Sequence, residues 1–259
     1  MLWTVAIASE WRKIREAVVK TKIRTSPFDR VRGSECACWI MLIGTACLRP
    51  KVFECVCLII VMLLASCHLI SLSRIEKKKR KDDAEIVRDA AISLIVDIFG
   101  LMYVPWCMSY FVRLSDLNLL IIMLWASFQC DTGALLAGRA FGKHRVVPIV
   151  SPGKTWEGYV GGMFLSSLSV SLLFLARPYL EDNGFGDVVP STLSFSKCLI
   201  LDFVAVCGSI FGDLFESLLK RVANIKDSGA LLPGHGGALD RADSLLLTAP
   251  LFYYVHQTF

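Results

Sequence analysis

Residues 212–243 read GDLFESLLKRVANIKDSGALLPGHGGALDRAD, a polar stretch flanked on both sides by apolar runs. The stretch contains four Asp residues and a Pro-Gly-His-Gly-Gly turn at 233–237. Because hydrocarbon cannot solvate a carboxylate, acidic residues at the edge of membrane-length helices usually serve a function. The stretch therefore predicts a functional site at the edge of a membrane.

The composition is typical of a membrane protein. Of the 259 residues, 54% are hydrophobic, which is more than a soluble domain usually contains. Several apolar runs reach the roughly 20 residues that cross a hydrocarbon core. The net charge of +5 comes from basic residues in short loops. These residues form no continuous basic stripe of the kind that binds nucleic acid, so nucleic acid is not expected as a partner. Most of the ten Cys lie in apolar runs, where they serve as small packing residues.

The hydropathy pattern predicts an all-α, polytopic integral membrane protein with about six or seven transmembrane helices. We divide the chain into a basic N-terminal tail (1–35), N-terminal membrane helices (36–112) and a catalytic membrane domain (113–259). The tail is either an amphipathic segment on the membrane surface or the remnant of a shortened membrane region. The apolar run 36–48 crosses the membrane or re-enters it. The other predicted spans are 52–73, 90–112, 117–137, 158–176, 198–219 and a last segment from 244.

Loop charges predict the orientation of these spans, because cytoplasmic loops carry an excess of Lys and Arg. The connector 74–88 is strongly basic, and strict alternation places the loops 138–157 and 220–243 on its side. The loops 113–116 and 177–197 fall on the opposite side and hold few basic residues. We therefore expect both motif-rich loops to line a polar cavity that faces the cytoplasm. The membrane would be the endoplasmic reticulum in a eukaryote and the plasma membrane in a bacterium.

Carboxylates lie near the ends of two predicted helices and in the loop that follows the second of them. Asp131 and Asp213 lie near the cytoplasmic ends of their helices, and Asp240 and Asp243 share a helical face if a helix begins at Leu239. Paired carboxylates suit Mg²⁺, which takes oxygen ligands and bridges protein carboxylates to substrate phosphates. The alternative is a set of structural ion pairs with the basic residues Lys220, Arg221, Lys226 and Arg241.

The glycine-rich turn suggests anion binding. Gly234, Gly236 and Gly237 lack a Cβ and can present backbone N–H groups to an anion at close range. His235 could bind a ligand or handle a proton, but a turn histidine that only forms hydrogen bonds is as common. The turn by itself is a weak signal.

Residues 153–155 read Gly-Lys-Thr, as in a P-loop. The nucleotide-binding pattern requires an earlier glycine at the position that Pro148 occupies. We therefore exclude a P-loop and retain Lys154 as a predicted phosphate contact.

Two blocks of the sequence together resemble one enzyme family. The later block comprises 217–221 (SLLKR), 226–229 (KDSG), 232–237 (LPGHGG) and 240–243 (DRAD). The earlier block comprises 130–134 (CDTGA), Gly138, 141–143 (FGK) and 151–158 (SPGKTWEG). Both blocks, in this order, resemble the CDP-diacylglycerol synthases, also called phosphatidate cytidylyltransferases. The resemblance covers approximately residues 117–259.

The resemblance implies an activity, a cofactor and partners. CTP and phosphatidate would be the substrates, CDP-diacylglycerol and pyrophosphate the products, and Mg²⁺ the cofactor, held by Asp213 and Asp240. The family also favours a homodimer in the lipid bilayer. The residues expected in catalysis are Lys220, Arg221, Lys226, Asp227, His235, Arg241 and Asp243. The residues expected to bind substrate are Asp131, Lys143, Ser151, Lys154, Thr155, Gly234, Gly236 and Gly237.

Family members usually begin with further apolar helices, and residues 8–11 (ASEW) are similar to the end of one. We therefore expect an N-terminally shortened form, in which activity would be impaired if the missing helices are needed.

Two other functions stay open. A CTP-dependent lipid kinase would transfer the γ-phosphate instead of the cytidylyl group. A transporter would line a pathway with the carboxylates of Asp97, Asp131, Asp202 and Asp213.

Overall fold

A computed structural model of the chain describes residues 2–19, 38–39, 42–44, 50–73, 83–116, 119–184, 188–229 and 237–258. These residues are mostly helical, as the sequence predicts. The helices are α1 (Leu2–Val18), α2 (Pro50–Ser73), α3 (Asp83–Asp116), α4 (Leu120–Phe141), α5 (Trp156–Asp182), α6 (Phe195–Val222) and α7 (Leu239–Gln257). A small antiparallel hairpin of β1 (Arg145–Val147) and β2 (Ser151–Thr155) separates α4 from α5 and was not predicted.

Four helices in the described part of the chain are long and apolar enough to cross a membrane. They are α4, α5, α6 and the stretch Ile86–Leu114 of α3, and α2 adds a shorter apolar stretch, Val56–Ile70. Large apolar side chains point away from the protein along these helices; Phe164 and Leu175 are both 70% exposed. Lipid accommodates such side chains and water does not. The protein is therefore an integral membrane protein with several spans.

The helices run further than the predicted spans. α3 already begins at Asp83, α4 continues to Phe141 and α5 continues to Asp182. Parts of the predicted loops 74–88, 138–157 and 177–197 are consequently helical. The reason is that Ala, Leu, Glu and Arg in these extensions favour a helix even where hydropathy falls.

Contacts divide the chain into two units, of which unit 1 comprises Met1–Ser109 and Leu219–Asp240. Within unit 1, α1 packs against α3: the Trp11 and Phe99 rings lie 5.6 Å apart, and a Cβ at Gly100 would collide with the Trp11 indole. Residues 2–18 of the predicted tail thus form a helix with a buried face.

Asp97 lies buried within α3 of unit 1 and has partners from two other helices. Arg15 of α1 forms an ion pair with its carboxylate, and His68 Nε2 of α2 lies 3.1 Å from it. Arg15 also donates a hydrogen bond to Ser93 at 3.2 Å. A buried carboxylate that is paired in this way connects helices. These partners account for Asp97 without a transport pathway.

Unit 2 comprises Tyr110–Leu218 and Arg241–Phe259. Here α4 and α5 approach closely, because a Cβ at Gly133 would lie 2.8 Å from the Gly161 carbonyl oxygen. Small residues permit such backbone contact between membrane helices. The buried Asp202 of α6 accepts hydrogen bonds from the Ser166 and Ser167 hydroxyls of α5. Asp202, the second buried acid considered for a transport pathway, therefore also has its partners within the helix packing.

Substituting Gly162 should test the contact between α4 and α5. A Cβ at Gly162 would lie 2.6 Å from the Cys130 carbonyl oxygen, so we expect Gly162→Ala to lower the free energy of unfolding by roughly 1–3 kcal/mol through overpacking. Thermal unfolding in detergent measures the effect. Gly153→Ala is the control, because a Cβ there meets nothing within 4 Å. Equal midpoints for the two variants would contradict the close packing.

Candidate active site

The hairpin brings Ser151 and Lys154 to the start of α5 in unit 2. Thr155, the last residue of β2, caps this helix: its hydroxyl oxygen accepts the Gly158 N–H at 3.2 Å. A cap of this kind satisfies one of the amides that lack a partner in the first helical turn. The strand pairing and the cap together fix the three polar residues of β2 relative to α5.

Glu157, in the first turn of α5, holds the beginning of the hairpin. Its carboxylate accepts the backbone N–H groups of Lys143 at 3.1 Å and His144 at 3.2 Å, and His144 Nδ1 lies 2.5 Å from Oε1. The structure places the Lys143 side chain on the exposed surface, outside the cavity described next. Lys143 is therefore held by its backbone, and its predicted substrate contact stays a prediction.

A cavity of about 430 Å³ opens beside the hairpin in unit 2. Five residues predicted from the sequence meet in its wall: Asp131 of α4, Ser151, Lys154 and Thr155 of the hairpin, and Asp213 of α6. The Lys154 ammonium forms an ion pair with Asp213. The rest of the wall is mostly apolar and includes Cys130, Ala134, Leu135, Tyr159 and Ile210. A compact polar site thus lies among membrane helices.

The charged groups of this cavity act on one another. Lys154 attracts Asp131 as well as pairing with Asp213, and the Asp243 carboxylate lies near enough to repel Asp131. A cation, the Lys154 ammonium, thus already lies among carboxylates of the type that Mg²⁺ takes as ligands. Within the described ranges, no three His, Cys, Asp or Glu residues gather closely enough to hold a metal ion by themselves. The donor set fits an ion whose shell is completed by substrate phosphates and water.

Asp240 is the centre of the predicted site residues in unit 1. Its carboxylate accepts hydrogen bonds from Lys220 Nζ at 2.9 Å, Gly237 N–H at 2.7 Å and Ser228 N–H at 3.0 Å. Burial alone would raise the pKa of Asp240, but the Gly237 N–H and the Lys220 ammonium outweigh burial and lower it. Asp240 is therefore ionised at neutral pH. One ion pair of the structural alternative, Lys220 with Asp240, is present.

Most of the other predicted site residues lie at the surface. Arg221, Lys226 and Asp227 of unit 1 are exposed, as is Arg241 of unit 2. Asp243 of unit 2 accepts the Ser244 N–H at 2.6 Å. Three further predicted site residues, Gly234, His235 and Gly236, lie outside the described residues.

Two residues near the candidate site were not predicted. The Tyr159 ring lies 5.9 Å from Lys154 Nζ, and nothing in the sequence distinguishes Tyr159 from other apolar residues of its span. Glu10 accepts hydrogen bonds from Ala238 and Leu239, although it belongs to the predicted tail. Its only signal in the sequence is its position in the ASEW segment, which does not indicate a distant partner.

The whole chain is similar in sequence to proteins of one known family. Residues 1–259 match the family model of the cytidylyltransferase family. Similar curated proteins are the phosphatidate cytidylyltransferases of Haemophilus influenzae (42% identical over 135 residues) and Rickettsia bellii (33% over 169 residues). Another is phosphatidate cytidylyltransferase 5, chloroplastic, of Arabidopsis thaliana (40% over 134 residues). The matches cover 52%, 63% and 52% of this chain and span 43%, 70% and 30% of the respective relatives.

Proposed function

Because the chain belongs to the cytidylyltransferase family, we propose that it transfers the cytidylyl group of CTP to phosphatidate, forming CDP-diacylglycerol and pyrophosphate. Such an enzyme serves phospholipid biosynthesis. The observation that carries the proposal is the cavity of unit 2, where Asp131, Lys154 and Asp213 meet among apolar helices. A polar pocket within membrane helices suits a reaction between a charged nucleotide and a lipid headgroup.

The chemistry requires positioning and charge neutralisation more than covalent work by the protein. A phosphatidate oxygen attacks the α-phosphorus of CTP; the new P–O bond forms as the bond to pyrophosphate breaks. Lys154 would exchange its contact with Asp213 for a phosphate oxygen. The Ser151 hydroxyl can donate a hydrogen bond to the same substrate. The Thr155 hydroxyl oxygen already accepts the Gly158 N–H, and its hydrogen can be donated to the substrate.

Mg²⁺, when bound, would neutralise phosphate charge, and we assign Asp213 and Asp240 as its protein ligands. Both side chains are carboxylates, and the pKa of Asp240 is lowered, so it is charged as a ligand must be. Asp131, Asp227 and Asp243 would complete the surrounding shell. The charge of the departing pyrophosphate would be balanced by Lys220, Arg221, Lys226 and Arg241.

We also propose six or seven spans, a cavity that faces the cytoplasm and a homodimeric state. The basic character of the loops 74–88, 138–157 and 220–243 supports this orientation, and it would give the cavity access to cytoplasmic CTP.

Product analysis with the purified chain tests the proposed reaction. We expect a cytidine-containing lipid and an equal amount of pyrophosphate when CTP, phosphatidate and Mg²⁺ are all present, and neither product after removal of Mg²⁺ by EDTA. A CTP-dependent lipid kinase would instead yield a phosphorylated lipid without cytidine, together with CDP. Mass spectrometry of the lipid separates these outcomes. Flux across vesicles without consumption of CTP would favour a transporter.

A further inference from the structure

We propose that Glu10 of α1 is a positioning residue, which holds the Asp240 segment, residues 237–240, in its reactive arrangement. The inference rests on the proposed function, because it concerns a carboxylate assigned to that reaction. Glu10 and the Asp240 segment both belong to unit 1. In this proposal Glu10 does not contact the substrate and acts only through the Asp240 segment.

The Glu10 carboxylate is buried and accepts three hydrogen bonds. Glu10 is 3% exposed. Oε1 accepts the Ala238 N–H at 2.8 Å, and Oε2 accepts the Leu239 N–H at 2.7 Å and the Ser228 hydroxyl at 3.0 Å. Hydrogen bonds to an ionised acceptor are shorter and stronger than those between neutral groups. Glu10 therefore attaches the Asp240 segment firmly to α1.

Glu10 also supplies the cap of α7. Leu239 is the first residue of this helix, and amides in a first helical turn have no partner within the helix. A nearby Ser, Thr, Asp or Asn usually accepts from them, whereas here the acceptor for Leu239 lies 229 residues earlier in the chain. The negative charge also suits the positive end of the helix dipole. Glu10 thus fixes the start of the helix of which Asp240 is the second residue.

Two glycines leave room for the Glu10 carboxylate. A Cβ on Gly229 would collide with this carboxylate, and a Cβ on Gly237 would lie 2.5 Å from both of its oxygens. The Gly237 N–H meanwhile donates to Asp240 Oδ2. Gly237 thus lies between the two carboxylates, in a position that a larger residue could not occupy. Part of the glycine pattern of this loop therefore follows from Glu10.

The carboxylates of Asp240 and Glu10 together order the backbone of the Asp240 segment. Asp240 accepts the N–H groups of Ser228 and Gly237, and Glu10 accepts those of Ala238 and Leu239. Without Glu10, two buried amides would lose their partners. We infer that the Asp240 segment would then sample several conformations, in few of which the Asp240 carboxylate is correctly placed.

Kinetics of Glu10 variants test the inference. In the full chain in detergent, Glu10→Ala should lower kcat for cytidylyl transfer by roughly 10- to 100-fold, the usual range for residues that orient a catalytic carboxylate or ligand. The KM for CTP should rise as well, because Gly237 of the same segment is among the residues expected to bind substrate. Glu10→Gln keeps the volume and one acceptor oxygen, so it should fold and show a smaller loss. Glu16→Gln, an exposed glutamate of the same helix, is the control and should leave kcat unchanged.

Hydrogen exchange provides a readout that does not depend on activity. Amide exchange in residues 237–240 should be faster in Glu10→Ala and Glu10→Gln than in the unsubstituted chain or Glu16→Gln, while exchange in α5 stays the same. Unchanged exchange in residues 237–240 would overturn the inference. Faster exchange with an unchanged kcat would overturn it as well, because the reaction would then not need the ordered segment.

A double variant distinguishes positioning from a general effect on stability. If Glu10 acts through Asp240, Glu10→Ala combined with Asp240→Asn should be no slower than Asp240→Asn alone, since residues that act as a unit are not additive. Losses that multiply would refute the coupling. If the unsubstituted chain forms no cytidine-containing lipid, the proposed function fails, and hydrogen exchange still shows whether Glu10 holds the segment.

Discussion

Replacing Asp240 by Asn should lower the rate of cytidylyl transfer by roughly 100-fold or more, the effect expected when a charged group of an active site is lost. The Asp240 carboxylate balances the Lys220 ammonium and accepts the Gly237 and Ser228 amides. An Asn side chain removes the charge, and its NH₂ group must face one of these donors. It is also a poorer ligand for Mg²⁺ than a carboxylate. Release of pyrophosphate and formation of labelled lipid from CTP measure the loss.

Asp182→Asn is the matched control for Asp240→Asn. Asp182 is the exposed last residue of α5, and its substitution should leave turnover unchanged. If Asp240→Asn turns over as fast as the unsubstituted chain, Asp240 is not part of the site. Raising the Mg²⁺ concentration should restore part of the activity, because a metal site with weakened affinity is filled at a higher concentration of the ion.

Replacing Lys154 by Met should lower kcat/KM for CTP by about 100-fold, with a higher KM, because a preorganised charge no longer meets the phosphates. Lys154 is the one basic residue among those that line the described cavity, and it is paired with Asp213. Met keeps most of the volume and removes the charge. Steady-state kinetics with varied CTP measure the change. The control is Lys197→Met. Lys197 lies in the first turn of α6, and its substitution should leave kcat/KM for CTP unchanged.

The double variant Lys154→Met with Asp213→Asn tests whether this pair is only a structural ion pair. In a structural pair, removing one partner leaves an unpaired, partly buried charge, and removing the second relieves the penalty. The double variant would then recover most of the activity lost in Lys154→Met. If both groups act on CTP and its metal ion, the double variant should be at least as slow as Lys154→Met. Recovery would contradict our assignment of both residues.

The hairpin before α5 shows why part of the site could not be predicted. β1 has three residues and β2 has five, and β2 contains Pro152 and Gly153, which are typical of turns. Strands this short show no alternation of apolar and polar residues. The pairing places Lys154 near Asp213, which lies on a distant helix. The sequence thus predicted Lys154 as a phosphate contact but not its carboxylate partner.

Glu10 and Asp97 illustrate the same limit in unit 1. Glu10 lies in a segment whose basic residues and apolar beginning suggested a surface tail, yet it accepts hydrogen bonds at the start of α7. Asp97 looked like a carboxylate available for transport, yet Arg15 and His68 pair with it. In each case the partners come from other helices, so no pattern within one helix could indicate them.

The sequence by itself determined that the chain is a helical membrane protein of the cytidylyltransferase family. Span length, charge bias and motif order are properties that can be measured along the chain, and the physics behind them is local: about 20 apolar residues cross a hydrocarbon core. It also determined five residues of the cavity in unit 2. Only the tertiary structure decided which charged groups meet, as Lys154 does with Asp213 and Glu10 with the start of α7. The physical reason is that a buried charge is stable only beside a partner, and helix packing decides which distant residue becomes that partner.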